Sequence, residues 1–144
     1  MKNRYWLTVG VMSVLGMMGC QSSASKVEKS LPSVAAMDNS QNSLDWNGTY
    51  LGTFPCADCE GIEMSLTLLP EGRYQLTQTY LGEALKPLVS QGAFVWNDAG
   101  NTITLENEPQ PNQYFVGENR LIKLDRFGQK PTGELAPFYH LIKQ

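Results

Sequence analysis

The sequence predicts an all-β protein, a small antiparallel up-and-down barrel of about eight strands. Three observations carry that expectation. Between Trp46 and Gln144 apolar residues recur with a period of two, turn-forming clusters separate the runs, and no stretch shows a helical period. Short strands with one apolar face each must pack as two sheets or close on themselves, and closure removes the exposed edges.

The first element in the chain is not a strand. Residues 1–19 begin with Lys2 and Arg4, run through the apolar stretch Tyr5–Met18 and end at Gly19, directly before Cys20. A basic start followed by an apolar run too short and too Gly-interrupted for a comfortable membrane span reads as a signal peptide. Its Gly-Cys end resembles the lipobox of bacterial lipoproteins. The resemblance implies cleavage ahead of Cys20, a diacylglyceryl thioether on its sulfur, and a mature chain carried on lipid. Residue 21 is Gln rather than the Asp that resembles an inner-membrane retention signal, so the implied address is the outer membrane, facing the periplasm.

Residues 20–45 are rich in Ser, Ala, Asn and Gln without a sustained apolar period, and read as a flexible tether. A short helix over Val27–Met37 is the alternative, and Pro32 counts against it.

The head, residues 46–144, is long enough for one domain with one core. Its expected strands are Thr49–Phe54, Ile62–Leu68, Arg73–Leu81, Gly92–Trp96, Thr102–Leu105, Tyr114–Val116, Arg120–Leu124 and Phe138–Ile142. In the second, Ile62, Met64, Leu66 and Leu68 alternate with Glu63, Ser65 and Thr67. In the third, Tyr74, Leu76 and Tyr80 share a face with one polar exception, Gln78. "PEG" at 70–72, "NDAGN" at 97–101 and "GEN" at 117–119 supply tight turns. The expected inward residues are Tyr50, Met64, Leu66, Tyr74, Leu76, Tyr80, Phe94, Trp96, Ile103, Leu105, Leu124 and Leu141.

With Cys20 consumed by lipid, Cys56 and Cys59 remain, three positions apart in "FPCADCEG". In an oxidising periplasm two such thiols are expected to pair and stiffen the turn between the first two strands. A thioredoxin-like role is opposed by the neighbours. Asp58, Glu60 and Glu63 raise a thiol pKa, and no βαβ pattern surrounds the motif. A Cu(I) site on two thiolates is the alternative to the disulfide, because soft ligands select that ion. Zinc needs two further N or S ligands, and the one histidine, His140, is far along the chain.

Charge and motifs narrow the function. Loss of Lys2 and Arg4 leaves nine basic against fourteen acidic residues in the mature chain, with no basic run. That excludes the electrostatic footprint of a nucleic-acid binder and gives the head no basic face for anionic lipid. There is no nucleophile elbow and no phosphate-cradling Gly loop, and Glu60/Glu63 and Glu106/Glu108 read as solvated loop charges. We expect no enzyme and no required cofactor.

Residues 46–83, "WNGTYLGTFPCADCEGIEMSLTLLPEGRYQLTQTYLGE", resemble the N-terminal domain of the NlpE family of envelope lipoproteins. The shared elements are GxYxGxxPCADCxGI, an alternating strand, a Gly turn and YxLxxxYLG; "RLIKLDRFGQK" at 120–130 is similar to that domain's closing segment. The resemblance implies a lipocalin-like barrel, a link to copper tolerance, and activation of the Cpx envelope stress pathway through a sensor kinase. Members with a second, OB-fold domain carry further cysteines there, whereas this resemblance covers the first domain only. The expected function is therefore a non-enzymatic outer-membrane lipoprotein of envelope homeostasis. The alternatives are Cu(I) binding through Cys56 and Cys59, and carriage of a small apolar molecule in a cavity lined by Tyr74, Tyr80, Phe94 and Trp96.

Overall fold

The computed structural model describes residues 38–144. The expected signal peptide at 1–19, the expected lipidation site Cys20, the alternative helix over 27–37 and most of the expected tether lie outside the described residues. Eight strands follow in order: β1 (Gly48–Phe54), β2 (Gly61–Leu69), β3 (Arg73–Leu81), β4 (Leu88–Trp96), β5 (Thr102–Leu105), β6 (Gln113–Gly117), β7 (Arg120–Lys123) and β8 (His140–Lys143). Each pairs antiparallel with its sequence neighbours, and β8 pairs with β1 to close the barrel. The expected up-and-down barrel is what the chain forms.

Alternation selects the interior. In β2, Met64, Leu66 and Leu68 are buried while Glu63 is exposed, and in β3 Tyr74 and Leu76 are buried between exposed Arg73 and Gln75. The core adds Tyr50, Phe54, Phe94, Ile103, Leu105, Tyr114, Val116, Leu121 and Leu141. At about 25 cal/mol per Å² of apolar surface, such buried rings and branched chains dominate the folding free energy. Tyr80 and Trp96, expected to point inward, are only partly buried. Tyr80 lies opposite Ile62 where β2 leaves the hairpin, and Trp96 packs at the rim against Trp46.

The closing seam depends on one glycine. Tyr50 and Leu51 of β1 lie opposite Lys143 and Ile142 of β8. A Cβ on Gly52, next along β1, would collide with the His140 carbonyl oxygen and stand 2.9 Å from Leu141 Cδ2. Here a missing side chain lets two backbones approach.

Two strand starts differ from expectation by more than one residue. β4 begins at Leu88 rather than Gly92, because Leu88–Gln91 pair with Gln75–Gln78 of β3. β8 begins at His140 rather than Phe138, because Ala136–Tyr139 form a single 3₁₀ turn with Pro137 near its start.

A short helical element lies ahead of β1. Ser40–Ser43 form one helical turn, α1, capped reciprocally by Asn39 and Asn42: the Asn42 N–H donates to Asn39 Oδ1 (3.2 Å) and the Asn39 N–H to Asn42 Oδ1 (2.9 Å). The turn docks on the barrel through Gln41 N–H to the Gly100 carbonyl (2.9 Å) and Ser40 Oγ to the Val116 carbonyl (2.7 Å). Its cap sits against Gly100, whose φ of 63° favours glycine.

Candidate functional site

Up-and-down topology sorts the connections into two ends. The turns at 70–72, 97–101 and 118–119 share one end with α1, and the connections at 55–60, 82–87, 106–112 and 124–139 share the other. The turn end is sealed. Trp46 meets Phe94 and Trp96 edge-on at ring-centre distances of 5.7 and 5.5 Å, and its indole N–H donates to the Gln41 carbonyl (3.0 Å). The Tyr50 hydroxyl donates to the Trp46 carbonyl, and the Lys143 ammonium clasps Asp45 at 2.9 Å. Burial, with the nearby Asp45 charge, pushes the Tyr50 phenol up to about 12.

The loop end carries the chemistry. Cys56 and Cys59 are bonded to each other across Cα atoms 5.3 Å apart, closing the tip between β1 and β2. Cys59 Sγ lies 3.3 Å from the Gly61 carbonyl oxygen, a contact rather than a hydrogen bond because a disulfide sulfur holds no proton. A shallow depression beside the bridge is lined by Asp58, Cys59, Glu60, Leu81, Gly82 and Glu83. Its three carboxylates leave it strongly acidic. Among the described residues no three His, Cys, Asp or Glu side chains converge as metal ligands.

Across the same end, strand parity aims Lys123 of β7 inward beside Leu121 and opposite Tyr114 of β6. Its ammonium lies 5.7 Å from the Phe54 ring centre and 5.4 Å from that of Tyr114. It faces a recess of about 60 Å³ lined by Leu76, Gln78, Leu105, Glu108, Asn112 and Tyr114. Burial pushes the Lys123 amine below its ordinary value, with the Glu108 charge pulling the other way. Tyr74 spans toward this recess, donating to the Glu106 carbonyl (2.7 Å) and Glu108 Oε1 (2.9 Å). Burial, then the hydrogen bond to Glu108, raises its phenol to about 12, and burial raises that of Tyr114 further.

The sequence-level candidates therefore divide. Cys56 and Cys59 come together, while Cys20 lies outside the described residues. Tyr74, Tyr80, Phe94 and Trp96 do not line one cavity: Tyr74 and Phe94 fill the core, Trp96 sits at the sealed end and Tyr80 near the loop end. An eight-stranded barrel is narrow enough for its own side chains to fill. Lys123 and Tyr114 were not singled out as site residues by sequence reasoning, and Glu108, read as a solvated loop charge, instead accepts from Tyr74; the polar exception at Gln78 was a signal that this end is not purely apolar.

The profile of the NlpE N-terminal domain family matches residues 50–134. The chain belongs to this family. It is 30% identical over 121 residues to lipoprotein NlpE of Escherichia coli, covering 83% of this chain and 49% of that protein, so it spans about half the length of that relative. It is 29% identical over 107 residues to the 17 kDa lipoprotein of Treponema pallidum, covering 67% of this chain and 69% of that one. A crystal structure of a candidate lipoprotein from Shewanella oneidensis shares 44% identity at a TM-score of 0.69, over 74% of this chain and 96% of that one. The crystal structure of Escherichia coli NlpE, described as the Cpx pathway activator, shares 28% identity at a TM-score of 0.49 over 60% of this chain and 46% of that one. The disulfide and closed barrel described above are those of a member of this family.

Proposed function

We propose that this NlpE-type domain is a lipid-anchored, non-enzymatic module of envelope stress signalling. Cys20 carries the lipid, Gln21 permits passage to the outer membrane, and the barrel faces the periplasm. A chain retained at the inner membrane brings the barrel to a stress-sensing kinase and raises Cpx-type output. The observation supporting this reading is the sequence match, over most of this chain, to the Escherichia coli lipoprotein described as the Cpx pathway activator. A filled core and disulfide-stiffened loop suit recognition by a partner better than turnover of a substrate.

The test is Gln21→Asp. With inner-membrane retention verified by fractionation, output from a Cpx-type reporter should rise. Unchanged output in retained chain would refute a positional mechanism. Copper tolerance enters the same reading through Cys56 and Cys59 once reduced, when two thiolates become available for Cu(I). Reduced protein should then take up one equivalent of Cu(I), and Cys56→Ser should abolish it; equal uptake by the variant would remove copper from this site.

A further inference from the structure

Hydrogen-bonding groups at the loop end are unevenly committed. The carboxylates bordering Lys123 and Arg126 are already engaged: Glu108 accepts from the Tyr74 hydroxyl, and Asp125 Oδ1 accepts from the Phe127 and Gln129 amides, both at 2.8 Å. The cations are not. Lys123 meets only the faces of Phe54 and Tyr114, and the Arg126 guanidinium stacks 5.0 Å above the Phe127 ring centre. Among the described residues the single ion pair is Lys143–Asp45, at the opposite end. The Tyr114 ring beneath this ammonium is almost wholly buried.

A half-buried ammonium without an acceptor is costly, and cation–π contacts return only part of its lost hydration. The depressed amine of Lys123 is the electrostatic expression of that deficit. Lys123 and Pro111 also border a larger cleft of about 460 Å³, walled by Leu124, Pro131, Leu135 and Tyr139 and flanked by Arg126. That volume falls within the range of small-molecule sites, roughly 300–1,000 Å³. The cleft is mainly apolar, whereas the adjoining 60 Å³ recess is polar and presents the Lys123 ammonium.

We propose that the loop end binds a small amphiphilic monocarboxylate, its head paired with Lys123 at the recess and its apolar part along Leu124, Leu135 and Tyr139. Charge complementarity selects the head. One negative charge answers the unpaired ammonium, and a second would be repelled by Glu108 and Asp125. The head-group recess opens at the loop end of the barrel, against the core residues Leu76, Leu105 and Tyr114, and the site does not depend on the signalling role.

Octanoate titrated into the full chain, held in nonionic detergent and followed by amide NMR shifts, tests it. Octanol serves as the control for partition into micelles. Octanoate should shift the amides of Lys123, Leu124, Leu135 and Tyr139 saturably, octanol should not, and Lys123→Met should weaken octanoate about tenfold or more, as loss of a charge-assisted hydrogen bond implies. Unsaturable shifts spread over the surface, equal responses to both probes, or unchanged affinity in the Lys123 variant would overturn the site. Should Lys123→Met fail to fold, Leu135→Asp decides. Leu135 is 55% exposed, so the core tolerates the change, and undiminished octanoate binding there would equally reject the proposal.

Discussion

The two ends of this barrel are built from opposite materials. At the turn end, short hairpins, a capped helical turn and three aromatic rings seal the core, and the Lys143–Asp45 ion pair clasps the rim. At the loop end, longer connections leave an acidic disulfide tip on one side and an unpaired lysine over an apolar cleft on the other. The first end is spent on stability, the second on surface chemistry, and substitutions should separate them by sign as well as by size.

The largest effect is expected from Tyr50→Ala. Tyr50 has no exposed surface and tethers Trp46 through its hydroxyl. Truncating a buried aromatic costs about 3–5 kcal/mol, enough to lower the melting temperature of a domain this size by more than 10 °C. A thermal melt in which this variant matches a loop-end variant would erase the contrast.

The same ring makes a pH prediction. The folded state holds the Tyr50 proton up to about 12 against 10.0 for an unperturbed phenol. Its stabilisation is complete below pH 10 and is lost as the pH climbs from 10 through 12. Tyrosinate absorbance should therefore rise together with loss of near-ultraviolet dichroism across that window. Ionisation of all tyrosines near pH 10 with the fold intact would contradict the buried hydroxyls.

A smaller effect is expected at the disulfide. Chain entropy assigns a bridge across so short a loop about 2 kcal/mol, compared with about 4.7 for a 100-residue loop. The Cys56→Ser/Cys59→Ser double variant should melt a few degrees lower in urea or heat and retain its barrel by far-ultraviolet dichroism. A collapse of the fold would show that the tip organises more than itself.

The smallest change should carry the opposite sign. Lys123→Met removes an unpaired, half-buried charge and should raise stability by about 1 kcal/mol at neutral pH. In the native protein the lowered amine means that the fold binds this proton less tightly than the unfolded chain does. That destabilisation is relieved as pH rises through the lowered value toward 10.5. Denaturant midpoints of wild type and variant should accordingly converge at alkaline pH; a constant gap would assign the gain to packing instead.

Much of this was legible in the chain. Alternation in β2 and β3 and the turns at 70–72 and 97–101 gave strand number, order and most of the core, because a period of two is unambiguous when one face is buried. The first half of β4 was missed because "LVSQG" mixes apolar and polar residues without a clear face, its exposed Leu88 and Val89 lying beyond the core. Helix α1 was missed because its signal is a two-asparagine cap on a single turn, too brief for any periodicity. Among candidate site residues, spacing and compartment sufficed for the cysteine pair. Lys123 was not accessible that way: Leu121, Ile122 and Leu124 are all buried, so alternation in β7 does not say which way the lysine points.

The pairing of Tyr50 with Lys143 also determines how this protein is made. Seven of the eight strand pairings join neighbours in sequence, so each hairpin forms from local encounters. The eighth joins opposite extremes of the head, and until it forms β1 and β8 present bare edges beside Leu51 and Ile142, both substantially exposed even when folded. Aggregation should therefore compete at that single step, through edge-to-edge association of unfinished barrels. A side chain at Gly52 would lengthen the lifetime of those open edges, making folding yield, more than equilibrium stability, the quantity this glycine protects.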